Sequence, residues 1–153
     1  MSAEQVSFVS KRPPPSLPGA LASGLAADVH PSPCRVLLVE DDEAIRVSLA
    51  EGLRENGLMV TLAEHGQEAL ELLRTEPLPS AIVLDLMLPV MDGWDFRHEQ
   101  LSDPALRDIP VVVITATGFT ASTIRKQLGD VDVIAKPVRQ LELINLLNQA
   151  CSD

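Results

Sequence analysis

Three short stretches constrain this chain more than anything else in it: "RVLLV" at 35–39, "AIVLD" at 81–85 and "VVVIT" at 111–115. Each is a nearly unbroken apolar run, rich in β-branched residues. A strand with one wet face alternates apolar and polar side chains. These runs do not alternate, so both of their faces must be covered, as in a parallel sheet between two layers of helices. The intervening segments supply the helices. Ala44–Glu55 places Ile45, Leu49 and Leu53 four apart, and Asn56-Gly57 is a stop. Leu58–Leu62 reads as a strand. Gln67–Thr75 carries Leu70 and Leu73 on one helical face and is closed by Pro77 and Pro79. Trp94–Leu101 reads as a helix ended before Pro104, and Phe119–Leu128 as a weaker one stopped by Gly129. Val131–Ala135 is a further strand. Gln140–Cys151, with Leu143, Leu146 and Leu147, is a last helix. Strands thus alternate with helices throughout, which predicts an α/β fold: a doubly wound, five-stranded parallel sheet with helices on both faces.

Residues 1–33 do not share this pattern. They hold six of the twelve prolines, including the run Pro13-Pro14-Pro15, and a small-residue stretch "GALASGLAA" with little to bury. The expectation is a disordered Pro-rich tail over 1–33 and one folded domain over 34–153; a docking peptide built on "RPPPSLP" is the functional alternative. Lys11 and Arg12 balance Glu4 and Asp28 in the tail, so the whole net charge of −10 belongs to the folded part. That sign argues against a nucleic-acid-binding surface. No apolar run is long enough to cross a bilayer, and the N-terminus does not read as a secretory signal. Cys34 and Cys151 lie at opposite ends of the domain; a disulfide is allowed but not needed, and a reduced, cytoplasmic protein is the simpler reading. His30, His65 and His98 are scattered without ligand spacing, so a histidine metal site is not expected.

In open α/β sheets, ligands bind beyond the carboxyl ends of the strands, where the strand order reverses. Glu40 and Asp41 follow the first strand, Asp85 ends the third, Thr115 ends the fourth, and Lys136-Pro137 follows the fifth. In a sheet ordered 2-1-3-4-5 the first and third strands are neighbours, which brings Glu40, Asp41 and Asp85 together. Three carboxylates at one point make an oxygen-rich cation site suited to Mg²⁺. Such a metal offsets the repulsion and leaves one carboxylate free to act as a nucleophile toward phosphorus. A threonine hydroxyl can donate to a phosphoryl oxygen, and a lysine supplies positive charge opposite the metal.

With "VLLVEDDE", "IVLDLMLPVMDGW", "VVVITA" and "AKP" in this order over residues 35–151, the chain resembles the response-regulator receiver domains of two-component signalling. The resemblance implies a flavodoxin-like fold with Asp85 as phosphoacceptor. It implies Mg²⁺ held by Asp41, Asp85 and the Met87 backbone carbonyl, with Glu40 acting through water. Thr115 would be the switch hydroxyl and Lys136 the phosphoryl partner, aimed inward by a cis bond before Pro137. The donor would be a sensor histidine kinase or a histidine phosphotransfer protein. A downstream protein would be met through the fourth helix, fifth strand and fifth helix, by a monomer or weak dimer. No output domain follows Cys151, so the expectation is a stand-alone receiver. It would not be an enzyme on external metabolites, and would catalyse only its own phosphorylation and hydrolysis.

Other residues carry blander readings. Asp42 and Glu43 begin the first helix, where acids favour the positive end of the dipole. Asp92-Gly93 reads as a turn, and Met87 and Met91 as packing or loop side chains. The pattern also departs from the family. Val133 stands where an aromatic switch residue is usual, Val138 where a Phe is frequent, and the Thr115–Lys136 span is one residue short. Met87 and Thr117, at the positions that tune hydrolysis, suit neither placement nor activation of water, which implies slow self-hydrolysis. Two rivals stay open: a phosphorylation-independent adaptor, favoured by Val133, and an aspartyl-phosphate phosphohydrolase, disfavoured because a Met rather than an Asp stands at 87.

Overall fold

The computed structural model describes residues 34–75, 77–116 and 118–152. The tail expected over 1–33, and Thr117, lie outside the described residues. The chain runs β1 (Arg35–Val39), α1 (Glu43–Glu55), β2 (Met59–Ala63), α2 (Gly66–Thr75), β3 (Ala81–Asp85), α3 (Gly93–Ser102), β4 (Val111–Thr115), α4 (Ala121–Leu128), β5 (Asp132–Ala135) and α5 (Gln140–Ser152). All neighbouring strands pair in parallel, in the expected order β2-β1-β3-β4-β5.

The apolar runs do what their lack of alternation requires. On one face Leu37, Val39, Ile82, Leu84, Val111 and Val113 pack with Leu70 and Leu73 of α2, Phe96 of α3 and Ile124 of α4. On the other, Val36, Leu38, Val83, Val112 and Ile114 pack with Leu49 and Leu53 of α1 and Leu143 and Leu147 of α5. Every residue of β3 and β4 is buried. A fully buried Val, Leu or Ile side chain contributes roughly 1.5–3 kcal/mol, so these two strands anchor the sheet.

Element ends moved where side chains or tertiary contacts outweighed periodicity. Thr120 caps α4, its Oγ1 accepting from Thr123 N at 3.1 Å. The helix therefore starts two residues after the expected Phe119. Phe119 instead meets Trp94 edge-on, with ring centroids 5.4 Å apart. Leu58, expected in β2, closes the end of α1 by donating to Leu53 O at 3.1 Å. Asp92-Gly93, expected to be a turn, is a helix start: Asp92 Oδ1 accepts from Asp95 N at 2.9 Å and Gly93 opens α3. Asp42 and Glu43 do begin α1, Asp42 as its cap.

A buried polar stitch holds the far end of this side of the sheet. Arg97 of α3 donates from Nε to Leu128 O at 2.9 Å and from Nη1 to Gln100 Oε1 at 2.8 Å. Gln100 Nε2 in turn donates to Leu106 O and Ile109 O, both at 3.0 Å. Burial pulls the Arg97 guanidinium below its usual value, and Asp130 offsets this. The stitch ties α3, the 103–109 connection and the last residue of α4 together.

The cysteines correct an expectation. The start of β1 and the last turn of α5 are adjacent, and Cys34 and Cys151 form a disulfide with Cα atoms 5.7 Å apart. Opposite ends in sequence meet because α5 packs over β1, and Cys34 leads directly into that strand. The bridge closes a loop with a sequence separation of 117 residues. A loop of that size restricts the unfolded chain, a stabilisation of up to about 4.7 kcal/mol. The oxidised chain is therefore expected to melt at higher temperature than the same chain in dithiothreitol, and Cys34→Ser should abolish that difference. Calorimetry under both conditions checks this; equal melting temperatures for the oxidised and reduced wild type would count against a closed bridge.

Candidate functional site

The strand order decides which chemistry meets. β1 and β3 are neighbours, with Val39 opposite Leu84, so the residues after β1 lie beside the end of β3. Carboxylate oxygens of Glu40, Asp41 and Asp85 all fall within 4.8 Å of one another. Glu40 and Asp85 are buried at 0% and 3% exposure, whereas Asp41 is exposed. The site is thus a buried acid pair with one open carboxylate at its mouth.

Lys136 joins the pair from the other side. β5 lies beside β4, and Lys136 N donates to Thr115 O at 2.8 Å as the strand ends. The Lys136–Pro137 bond is cis, as the resemblance implied. The ammonium lies 2.9 Å from Asp85 Oδ2 and 3.0 Å from Glu40 Oε1. The first contact is a hydrogen bond. The second is an ion pair, and among the described residues Lys136 is the one group that meets the buried Glu40 Oε1.

The electrostatics follow from burial. Desolvation pushes the Glu40 carboxyl up to about 7, against the pull of the Asp42 N–H and Lys136, with Asp85 adding to the rise. For Lys136 burial acts downward, but its hydrogen bonds and charge attraction to Asp85 and Glu40 win, and its value lies above that of an ordinary lysine.

The remaining expected residues hold different positions. Asp85 Oδ1 accepts the Met87 backbone N–H at 3.2 Å, so the 85–87 segment wraps the Asp85 carboxylate. The Met87 side chain is 61% exposed and takes no part in that contact. Thr115 is buried at the end of β4, but its Oγ1 donates to Ala116 O at 3.1 Å.

Two residues at the site escaped the sequence reading. Gly93 sits against the backbone of Asp85: a Cβ there would come within 2.5 Å of Asp85 O and 2.7 Å of Leu86 Cα. Both are backbone atoms with little room to yield. The only trace of this in sequence is a glycine at the first position of a helix. Arg46, in the first turn of α1, donates from Nη1 to Glu40 O at 2.9 Å and to Asp41 O at 3.2 Å. A basic residue shortly after an acidic cluster hints at such a contact without showing it.

The donor set fits a hard divalent cation. All three side chains offer carboxylate oxygens within reach of one point, one of them a buried Glu40 oxygen met only by Lys136, and Asp41 keeps the mouth of the site open. The histidines do not enter it, and the acid cluster is the candidate metal site among the described residues.

Comparison with known proteins agrees with this arrangement. The family described as "Response regulator receiver domain" matches residues 36–148. Response regulator MprA of Mycolicibacterium vanbaalenii is 37% identical over 113 residues, covering 73% of this chain and 48% of that protein. The chain therefore spans about half the length of the curated relatives it matches. A response regulator from Chloroflexus aurantiacus superposes with a TM-score of 0.73 at 29% identity, over 80% of this chain and 100% of that one. The receiver domain of a sensor histidine kinase from Pseudomonas aeruginosa superposes with a TM-score of 0.70 at 28% identity, again over 80% and 100% of the two chains. That structure holds a magnesium ion in its active-site cleft. With the family match spanning most of the folded part and the acid, hydroxyl and ammonium groups at the expected strand ends, the chain belongs to the response regulator receiver domains of two-component signalling.

Proposed function

We propose that the chain is a phosphorylation-dependent switch in which Asp85 accepts a phosphoryl group from the phosphohistidine of a histidine kinase or phosphotransfer protein. The observation that carries this reading is the Lys136 ammonium 2.9 Å from Asp85 Oδ2, inside a group of three carboxylates. An ammonium there serves an incoming phosphoryl oxygen as readily as a carboxylate.

Mg²⁺ would be held by Asp41, Asp85 and the Met87 carbonyl, with Glu40 acting through water. When bound it supplies charge neutralisation, both for the carboxylates and for the phosphoryl oxygens. The chain's own groups do the rest. A carboxylate oxygen of Asp85 forms the new O–P bond as the N–P bond breaks, and the electron pair returns to the donor imidazole. Lys136 pairs with the transferred group. The Thr115 hydroxyl exchanges Ala116 O for a phosphoryl oxygen. Moving that hydroxyl shifts the segment leading to α4 and biases the α4-β5-α5 surface that meets a downstream partner. Apart from its own phosphorylation and hydrolysis the chain performs no reaction in this reading. Val133, half-buried on β5, offers no ring to change rotamer. It favours the second reading, an adaptor indifferent to phosphate.

Beryllofluoride or acetyl phosphate with Mg²⁺ separates the two. Wild type is expected to be modified in an Mg²⁺-dependent way, with Asp85→Asn inert; no change in the wild type would leave the adaptor. The acyl phosphate should also be long-lived, because Met87 is a poor orienter of water. A phosphoryl group lost within seconds in ³²P chase experiments would contradict that.

A second test uses the proton on Glu40. Its carboxyl is raised in the fold from 4.5 to about 7, so the folded chain holds this proton more tightly than the unfolded chain does. The corresponding stability is complete below the unfolded value and is lost as pH rises through the folded one. In the absence of Mg²⁺, wild type is expected to lose up to about 3 kcal/mol relative to Glu40→Gln between roughly pH 4.5 and 8. Urea midpoints across that range read it; parallel curves for the two proteins would show that Glu40 is already ionised at acid pH.

A further inference from the structure

Arg46 is the residue near the site that the proposed chemistry does not use. Its side chain is 11% exposed, and one nitrogen, Nη1, reaches the carbonyls of both Glu40 and Asp41. Its other nitrogen, Nη2, lies 3.9 Å from Glu64 Oε2, just beyond β2. Glu64 is 66% exposed, so that contact is a weak one. The two carbonyl contacts are partner to a second restraint: Glu40 N donates to Ala63 O at 3.0 Å. On the helix side, Asp42 N donates to Glu40 Oε2 at 3.1 Å and Asp42 Oδ1 accepts from Ile45 N at 3.0 Å. The backbone carrying the two acids is thus tied to β2 on one flank and to α1 on the other, and Arg46 grips its carbonyl side.

We propose that Arg46 is a positioning residue for the divalent-cation site, holding the Glu40–Asp41 backbone so that both carboxylates converge with Asp85. The proposal rests on the Mg²⁺ reading given above. Mg²⁺ tolerates little departure from octahedral geometry, so a site of this kind depends on how its oxygens are aimed. Groups that orient ligands without touching the metal typically account for 10–100-fold in affinity.

Charge and positioning predict opposite signs here, which makes the idea sharp. A guanidinium beside three carboxylates repels a cation, so on Coulombic grounds alone its removal should tighten Mg²⁺ binding. If Arg46 positions the ligands, its removal should weaken it. Calorimetric Mg²⁺ titration of wild type, Arg46→Met and Arg46→Lys at one pH and ionic strength decides, with circular dichroism establishing that each variant is folded at the working temperature. The expected result is an Mg²⁺ dissociation constant raised roughly 10–100-fold in Arg46→Met, with partial recovery in Arg46→Lys. The rate of phosphorylation by acetyl phosphate should then need more Mg²⁺ to reach half its maximum in Arg46→Met, while the plateau at saturating Mg²⁺ approaches that of the wild type. Unchanged or tighter binding in folded Arg46→Met would overturn the proposal and leave the metal reading standing. A plateau that stays low at saturating Mg²⁺ would also overturn it, since the defect would then not be one of ligand placement. A wild-type chain that takes up no Mg²⁺ would instead remove the metal reading, and this proposal with it.

Discussion

The rest of the structure depends on placing Glu40, a fully buried acid, between a lysine ammonium and a second buried carboxylate. Isolated charge in a protein interior is costly, and opposite charge offsets that cost only where the geometry is held closely. Here three separate strand ends must arrive together to hold it. β1 delivers Glu40, β3 delivers Asp85 and β5 delivers Lys136. None of these three residues is near another in the chain. The parallel sheet supplies the registration, and its two apolar layers supply the rigidity against which one ammonium can serve two carboxylates.

Much of this was legible in sequence because position and residue type coincide at strand ends. An unbroken apolar run announces a strand buried on both faces, and the first polar residue after it marks the carboxyl edge. Asp85, Thr115 and Lys136 could therefore be placed before any contact was known. The ends of elements were less legible. Phe119 was read as helical because periodicity does not register that Thr120 can cap the helix that follows. Gly93 was read as part of a turn because the reason for a glycine there, the backbone of Asp85 pressed against it, is a tertiary fact. The same holds for Cys34 and Cys151, whose proximity follows from α5 packing over β1. Thr115 does end β4, and its hydroxyl makes a local bond to Ala116 O that residue type alone does not reveal.

The site is also uneven in a useful way. Asp85 is committed on both oxygens, to Met87 N and to Lys136, whereas Asp41 is open to solvent and Glu40 Oε1 is met by Lys136 alone. Under the proposed function Asp85 is both a cation ligand and the phosphoryl acceptor, and it is the most restrained of the three acids, with Gly93 of α3 against its backbone and Lys136 on its side chain. The oxygen that would form the new bond is thus held in place, and Asp41 is the acid left free to adapt.

The Arg97 stitch gives α4 a mechanical character that its sequence does not suggest. An eight-residue helix spans about 12 Å, and the end pinned by Arg97, at Leu128 O, is the one remote from Thr115. The other end hangs from the segment that Thr115 begins. A helix tied in this way has its carboxyl end fixed to α3 by a buried side chain, so any movement of the segment that Thr115 begins would be taken up at its amino end rather than at Leu128.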